Sequence, residues 1–395
     1  MPVNLIEIQK SLPKYADQAK ARRAELSSRE WELMGLIEKY AGQLDAIKAR
    51  VNQIAETNDR LRCAVPLDEP LDAVVPMPPL PERFTLLASD GSQINPSRHT
   101  QVPFGVINVA VLVMTRGSGE TPRIFTDSEL LDYNALFPTS GGMMSEGEVA
   151  IKRDLLERSA LADFPEALEP PTIAMVDGPL ELIREPQAGG GFEKVLEQYE
   201  DILARFMARG LIILGYTDKS QSDLVGRMME LMRLGEQGQD SYDPKRRQFA
   251  GLSDRIWLRD RLVNPGDRSA VFAILSETNK KLDPDLSFHF FYLNVGQPGK
   301  PHLARVEVPG WVAKNSERLG FLQAALTEQA HVLGTRPYPY LLHRAHEEAV
   351  VTRPEHQYVE DMIVKEFLRQ GIPMDEASSK QYHKDLDTTK KRYNG

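Results

Sequence analysis

Two strand-like apolar segments far apart in the chain run into the same dipeptide: Phe84–Ser89 leads to Asp90-Gly91-Ser92, and Thr172–Val176 to Asp177-Gly178-Pro179. Taken alone, Asp-Gly marks a turn more often than a site, because both residues suit the backbone of tight turns. The constraint comes from what lies between. Phe104–Met114 reads as a second strand, its Val106, Val109, Val111 and Val113 supplying β-branched side chains, and Arg123–Thr126 as a short third. A Gly- and Ser-rich loop, Thr139–Gly147, then leads into a helix over Glu148–Leu161. Three strands, a helix and a fourth strand predict an α/β domain in which both aspartates terminate inner strands and have a glycine next to them.

The alternation continues. A helix is expected over Phe192–Ala208, a strand over Leu211–Tyr216 and a helix over Ser222–Leu234, followed by an irregular basic region. Strands over Ser287–Asn294 and Leu303–Val308 precede a helix over Ser316–Leu333 and a last helix over Pro354–Arg369. Residues 15–62 differ in kind. Ile37, Leu44 and Val51 alternate with Tyr40, Ile47, Ile54 and Leu61 at 3.5-residue spacing, with the polar Asn58 next in the first series. This predicts one long helix whose seam joins a coiled coil or helical hairpin, or packs on its own domain. Six prolines from Pro66 to Pro81 then predict a stiff connector. The expected organisation is a helical extension over 1–64, a Pro-rich linker over 65–82, an α/β domain over 83–370 and a polar tail over 371–395.

With 41% hydrophobic and 27% charged residues the chain can bury a sizeable core. It opens with no basic segment followed by an apolar run, and no stretch reaches the about 18 apolar residues of a membrane helix. A cytoplasmic protein with no membrane partner is expected. The single cysteine, Cys63, excludes a disulfide framework and reads as a small core hydrophobe. A formal net charge of -9 weighs against a nucleic-acid partner only in part, since binding depends on where positive charge clusters. The densest basic stretch is Lys245-Arg246-Arg247 with Arg255, Arg259, Arg261 and Arg268, interleaved with Phe249 and Trp257; it is either a nucleic-acid contact or a solvated face. Gly296-Gln297-Pro298-Gly299-Lys300 lacks phosphate-loop spacing, and Gly189-Gly190-Gly191 lacks the dinucleotide fingerprint.

The strand order is that of the ribonuclease H-like mixed sheet flanked by helices, where acids from the first strand, first helix and fourth strand converge. Asp90 and Asp177 take the strand positions. Glu157 is the candidate on the helix, with Asp154 one turn earlier as the alternative. Clustered carboxylates raise one another's pKa unless a cation neutralises them, and hard divalent ions favour carboxylate oxygen. Mg²⁺ or Mn²⁺ is implied, and a pair of ions about 4 Å apart suits in-line hydrolysis of a phosphodiester.

Asp90-Gly91-Ser92, Val176-Asp177-Gly178-Pro179-Leu180, Lys219-Ser220 and Tyr338-Pro339-Tyr340-Leu341-Leu342-His343-Arg344-Ala345-His346 follow one another in the order of the NurA nuclease family, which the chain resembles over roughly residues 84–365. The resemblance implies a Mn²⁺-dependent nuclease that degrades DNA 5′ to 3′, cuts single strands and works with a hexameric HerA-type translocase at broken ends. It also implies that Asp90, Glu157 and Asp177 bind metal and that Tyr338 and His346 lie near it. His346 would act as ligand or proton donor, with His343 as the alternative. Lys219 would contact the scissile phosphate by the same resemblance, while Arg255 and Arg259 are candidate DNA contacts on the strength of the basic stretch alone. Pro179 departs from the smaller polar residue expected after the second Asp-Gly. A ribonuclease acting on RNA or hybrids, and a non-catalytic adaptor of an ATPase, are the competing readings.

Overall fold

The computed structural model describes residues 3–137, 142–182, 191–239 and 241–374. The loop expected at Thr139, the glycines 189 and 190 and most of the predicted tail lie outside them. Numbered along the chain, the elements are α1 (Leu5–Tyr40), α2 (Leu44–Ala55), β1 (Cys63–Pro66), β2 (Val74–Val75), β3 (Phe84–Ile94), β4 (Val106–Arg116), β5 (Arg123–Leu130), α3 (Tyr133–Leu136), α4 (Glu146–Ala162), β6 (Thr172–Asp177) and α5 (Phe192–Ala208). They continue as β7 (Ile212–Thr217), α6 (Leu224–Glu236), α7 (Asp254–Leu258), β8 (Arg268–Ser269), β9 (Phe272–Leu275), β10 (Phe288–Asn294), β11 (Leu303–Pro309), α8 (Gly310–Ala313), α9 (Ser316–His331), α10 (Tyr340–Ala349) and α11 (Arg353–Gln370). The chain divides into two compact units. The first comprises Met1–Pro81, Gly178–Ile183 and Ile212–Tyr340; the second comprises Glu82–Asp177, Arg184–Leu211 and Leu341–Gly395.

The second unit holds the strands ordered β6-β3-β4-β5. β4 is buried along most of its length, as its run of Val, Ile and Ala requires when both faces of a strand are covered. It pairs antiparallel with β3 over eleven positions, from Phe84↔Arg116 to Ile94↔Val106. That pairing corrects one expectation. Asp90-Gly91-Ser92 does not close its strand but lies inside it, because β4 continues to supply hydrogen-bonding partners as far as Ile94. The second motif behaves as expected: β6 ends at Asp177, and Gly178 has φ +84°, a conformation that favours glycine. β5 is largely exposed and bears Arg123, Asp127 and Glu129, charges that keep an edge strand from pairing further. α4 starts at a capping box formed by Ser145 and Glu148 and packs on β3 and β4. α5 buries Leu196, Tyr199, Ile202, Leu203 and Phe206 at helical spacing and packs on α4.

In the first unit the strands run β1-β9-β10-β11-β7, with β2 on β8 and β8 on β10. The N-terminal region departs from the sequence expectation in two ways. The single helix over 15–62 is two helices, broken at Ala41 and Gly42. Its seam is also spoken for within the chain: Ile37, Tyr40, Ile47, Val51, Ile54 and Leu61 are buried, and α1 and α2 pack on α6. A 3.5-residue seam serves a helix packed on its own domain as well as one in a coiled coil, and here the apolar face of α6 covers it. The Pro-rich stretch is extended, as proline demands, but Cys63–Pro66 pairs antiparallel with β9 and Val74–Val75 with β8. No described helix is long and apolar enough to cross a membrane.

Candidate active site

Parallel pairing of β3 with β6 runs from Thr85↔Thr172 to Ser89↔Val176. One residue further along that register come Asp90 and Asp177, on neighbouring strands about 4.8 Å apart and on the same face of the sheet. Asp177 sits at the exposed end of β6, whereas the Asp90 side chain is only 18% exposed. One Asp90 oxygen accepts the Gly91 N–H at 2.8 Å; the other lies 2.7 Å from Nδ1 of His346 on α10. His346 Nε2 makes no hydrogen bond among the described residues. His343, one turn earlier, faces Glu347 instead, at 3.6 Å.

The third candidate carboxylate lies on α4. The Ser89 hydroxyl donates to the Glu157 carbonyl at 3.1 Å, fastening the helix to β3 one residue before Asp90. Glu157 is buried, and its Oε1 lies so close to Gly91 that a Cβ there would come within 2.6 Å of it. Gly91 is therefore a requirement of this approach and not of a turn; its backbone is ordinary strand. Asp154, the alternative, is more exposed and faces Arg153. Burial pushes the Glu157 carboxyl up to about 7, with Asp154 and Asp90 adding to the rise and Arg158 and Arg153 opposing it. Arg158 is itself buried against the Tyr199 ring, 5.4 Å from its centroid, and donates to the Asp154 carbonyl at 2.8 Å.

Glu157 Oε1 is buried and accepts no hydrogen bond among the described residues. A buried carboxylate oxygen without a donor is costly, and a hard divalent cation beside it removes that cost. The oxygen donors of Asp90, Glu157 and Asp177 thus fit Mg²⁺ or Mn²⁺ in kind. As the side chains stand, no three such groups among the described residues are drawn together as a closed metal cage. Arg153 lies against Glu157 instead, its Nε 3.1 Å from Oε1.

The remaining sequence candidates belong to the first unit. Tyr338 packs edge-on against Tyr216 at 5.5 Å. Lys219 follows β7 with φ 47°, the left-handed region, beside Asp218, whose carboxylate accepts a hydrogen bond from His302 Nε2 at 2.5 Å. Arg255 and Arg259 line a cavity of about 210 Å³ with Ile256, Pro301, His302 and Leu303. The wider basic stretch is mostly structural. Arg247 pairs with Asp223 and Glu230, Arg268 with Glu69 and Arg261 with Glu38, while Phe249 and Trp257 are core residues and offer no stacking face. Cys63 is buried as expected, its thiol pushed up to about 12 by burial. Sequence reasoning missed Ser89, Arg153 and the His302–Asp218 pair. Only Arg153 had a signal, four residues before Glu157 on the same helical face.

The profile of the NurA domain family matches residues 84–351. Among solved structures, the chain is similar to the NurA nuclease from Sulfolobus solfataricus, with a TM-score of 0.51 and 12% identity over 92% of this chain and 98% of that one. It also aligns with the catalytic domain of human Endonuclease V (TM-score 0.29, 11% identity, 73% of this chain and 85% of that chain) and with LC9-RNase H1 (TM-score 0.21, 11% identity, 40% and 72%), both too distant to add to the argument. No curated protein sequence matches the chain. The matched span begins at the first residue of β3 and takes in Asp90, Glu157, Asp177 and His346, so the chain belongs to the NurA domain family of nucleases.

Proposed function

We propose that this chain is a DNA nuclease dependent on Mn²⁺ or Mg²⁺, hydrolysing phosphodiester bonds at Asp90, Glu157 and Asp177. The observation that carries the reading is the buried Glu157 oxygen, without a hydrogen-bond donor among the described residues, held against Gly91 next to Asp90. When bound, two divalent ions would supply the charge that activates water and stabilises the leaving oxygen. The chain's own groups do the rest. Asp90 and Asp177 present oxygens from neighbouring strands, and Glu157 closes the set from α4. His346, held by Asp90 through Nδ1, keeps Nε2 for a metal or for the proton taken by the leaving group.

Tyr338 keeps the role that the family resemblance gives it. Lys219, Arg255 and Arg259 are proposed to contact backbone phosphates; Arg255, which forms no ion pair among the described residues, is the strongest of them. Among the described residues Arg259 pairs with the exposed Asp260 alone, at 3.1 Å, a contact that a phosphate can replace. By the same resemblance we propose 5′ to 3′ exonuclease and single-strand endonuclease activity, action as a homodimer with a HerA-type hexameric ATPase, and a cytoplasmic role in double-strand break repair or DNA defence.

Incubation of purified protein with labelled single-stranded DNA, duplex DNA, RNA and RNA–DNA hybrid, in Mn²⁺, Mg²⁺ or EDTA, tests the reading. Cleavage of DNA that needs the metal is expected. Cleavage confined to RNA or hybrid would transfer the site to a ribonuclease, and intact DNA with and without the ATPase would leave an adaptor.

A further inference from the structure

Two arginines of α4 act on these carboxylates: Arg158, buried against Tyr199 and fixed on the Asp154 carbonyl, and Arg153, whose contacts are of two kinds. Its Nη2 lies 3.0 Å from Asp154 Oδ1 in a formed hydrogen bond. Its Nε lies 3.1 Å from Glu157 Oε1, but the two are misaligned, and both atoms are buried with no hydrogen bond of their own. The stem crosses Gly91: a Cβ there would come within 2.9 Å of Arg153 Cγ and 3.1 Å of Cδ. Asp90 also acts on this guanidinium electrostatically. A divalent ion and this guanidinium therefore make the same demand on one oxygen, and the arginine keeps Asp154 as a partner when it gives that oxygen up.

We propose that Arg153 is an exchangeable internal counter-cation: beside the fixed Arg158 it offsets the charge of Glu157 and Asp90 while no metal is bound, and it yields Glu157 Oε1 to the divalent ion while Asp154 retains its Nη2. Asp154 is then the arginine's holder and not a ligand. The inference rests on the metal-dependent reading above.

Mn²⁺ binding to the full chain by calorimetry, with thermal unfolding in EDTA and in saturating Mn²⁺, separates the two ideas. In Arg153→Gln the competitor is gone, so Mn²⁺ should bind about tenfold more tightly, equivalent to about 1.4 kcal/mol. The metal-free variant should melt below wild type, and saturating Mn²⁺ should narrow that gap. Arg153→Met, which keeps the buried stem, serves if the glutamine variant does not fold. Weaker or unchanged Mn²⁺ affinity in a folded variant overturns the counter-cation role. Absence of Mn²⁺ binding in wild type overturns the metal reading itself, and the inference with it.

Discussion

Glu157→Gln offers a test in which site and fold respond in opposite directions. Burial raises the Glu157 carboxyl from an ordinary 4.5 to about 7. In an unfolded chain it ionises near its ordinary value, so between those two pH values the folded state binds the extra proton and stability falls as pH rises. Below the lower value both states are protonated and the effect vanishes; above about 7 both are ionised and the loss is complete. At 1.36 kcal/mol per unit, the full cost of the buried charge is about 3 kcal/mol in the absence of metal. Glutamine keeps the shape and never ionises. Relative to wild type, Glu157→Gln should therefore gain about 2.5 kcal/mol more at pH 8 than at pH 5. Urea unfolding in EDTA at the two pH values measures it, and the comparison with wild type cancels other groups that titrate in the range, such as the buried Asp254. The same variant should lose Mn²⁺ binding. An equal stability difference at both pH values would refute the reasoning about Glu157.

Other consequences follow from the same contacts. Because a proton and a metal compete for Glu157, Mn²⁺ affinity of the wild type should rise through pH 6 and level off above about 7, read by calorimetry. Gly91→Ala forces Glu157 and Arg153 aside; about 1–3 kcal/mol of stability should be lost with a larger loss of metal affinity, and unchanged affinity would contradict the close approach. Ile47→Ala should cost about 2–5 kcal/mol by chemical denaturation while leaving the mass by light scattering unchanged, since Ile47 is wholly buried within its own chain. Arg255→Gln with Arg259→Gln should lower the salt dependence of single-stranded DNA binding, measured in EDTA, by a slope of about 1.4.

Much of the second unit was legible because its strands declare themselves. β-branched runs and Asp-Gly punctuation locate β3, β4 and β6, and the interval between β4 and β6 leaves room for one long helix, α4. The length of β3 was not legible, since nothing local tells Asp90 that β4 continues beside it to Ile94; strand ends depend on partners distant in sequence. The same non-locality hid β1, β2, β8 and β9, short strands that exist only because a neighbour completes their hydrogen bonds. The heptad-like seam was visible but its partner was not: periodicity reports that a face is buried, not whose surface buries it. At the candidate site, the placing of Asp90 and Asp177 on neighbouring strands was readable from the chain. That Glu157 and not Asp154 approaches Gly91, and that His346 and not His343 reaches Asp90, depends on the packing of α4 and α10, which the sequence does not display. Within the basic stretch the structural arginines could not be told from the exposed ones, because arginines near a core pair with buried acids as readily as they face a phosphate.

The most direct test of the central claim is Mn²⁺-dependent cleavage of end-labelled single-stranded DNA by Asp177→Asn, under single-turnover conditions and with folding checked by circular dichroism. Asp177 stands at the exposed end of β6, so its loss should leave the fold intact. Cleavage should fall by at least about a hundredfold, to the level seen in EDTA. A folded variant that cuts at the wild-type rate would contradict the assignment of the Asp90, Glu157 and Asp177 carboxylates as the metal-binding centre.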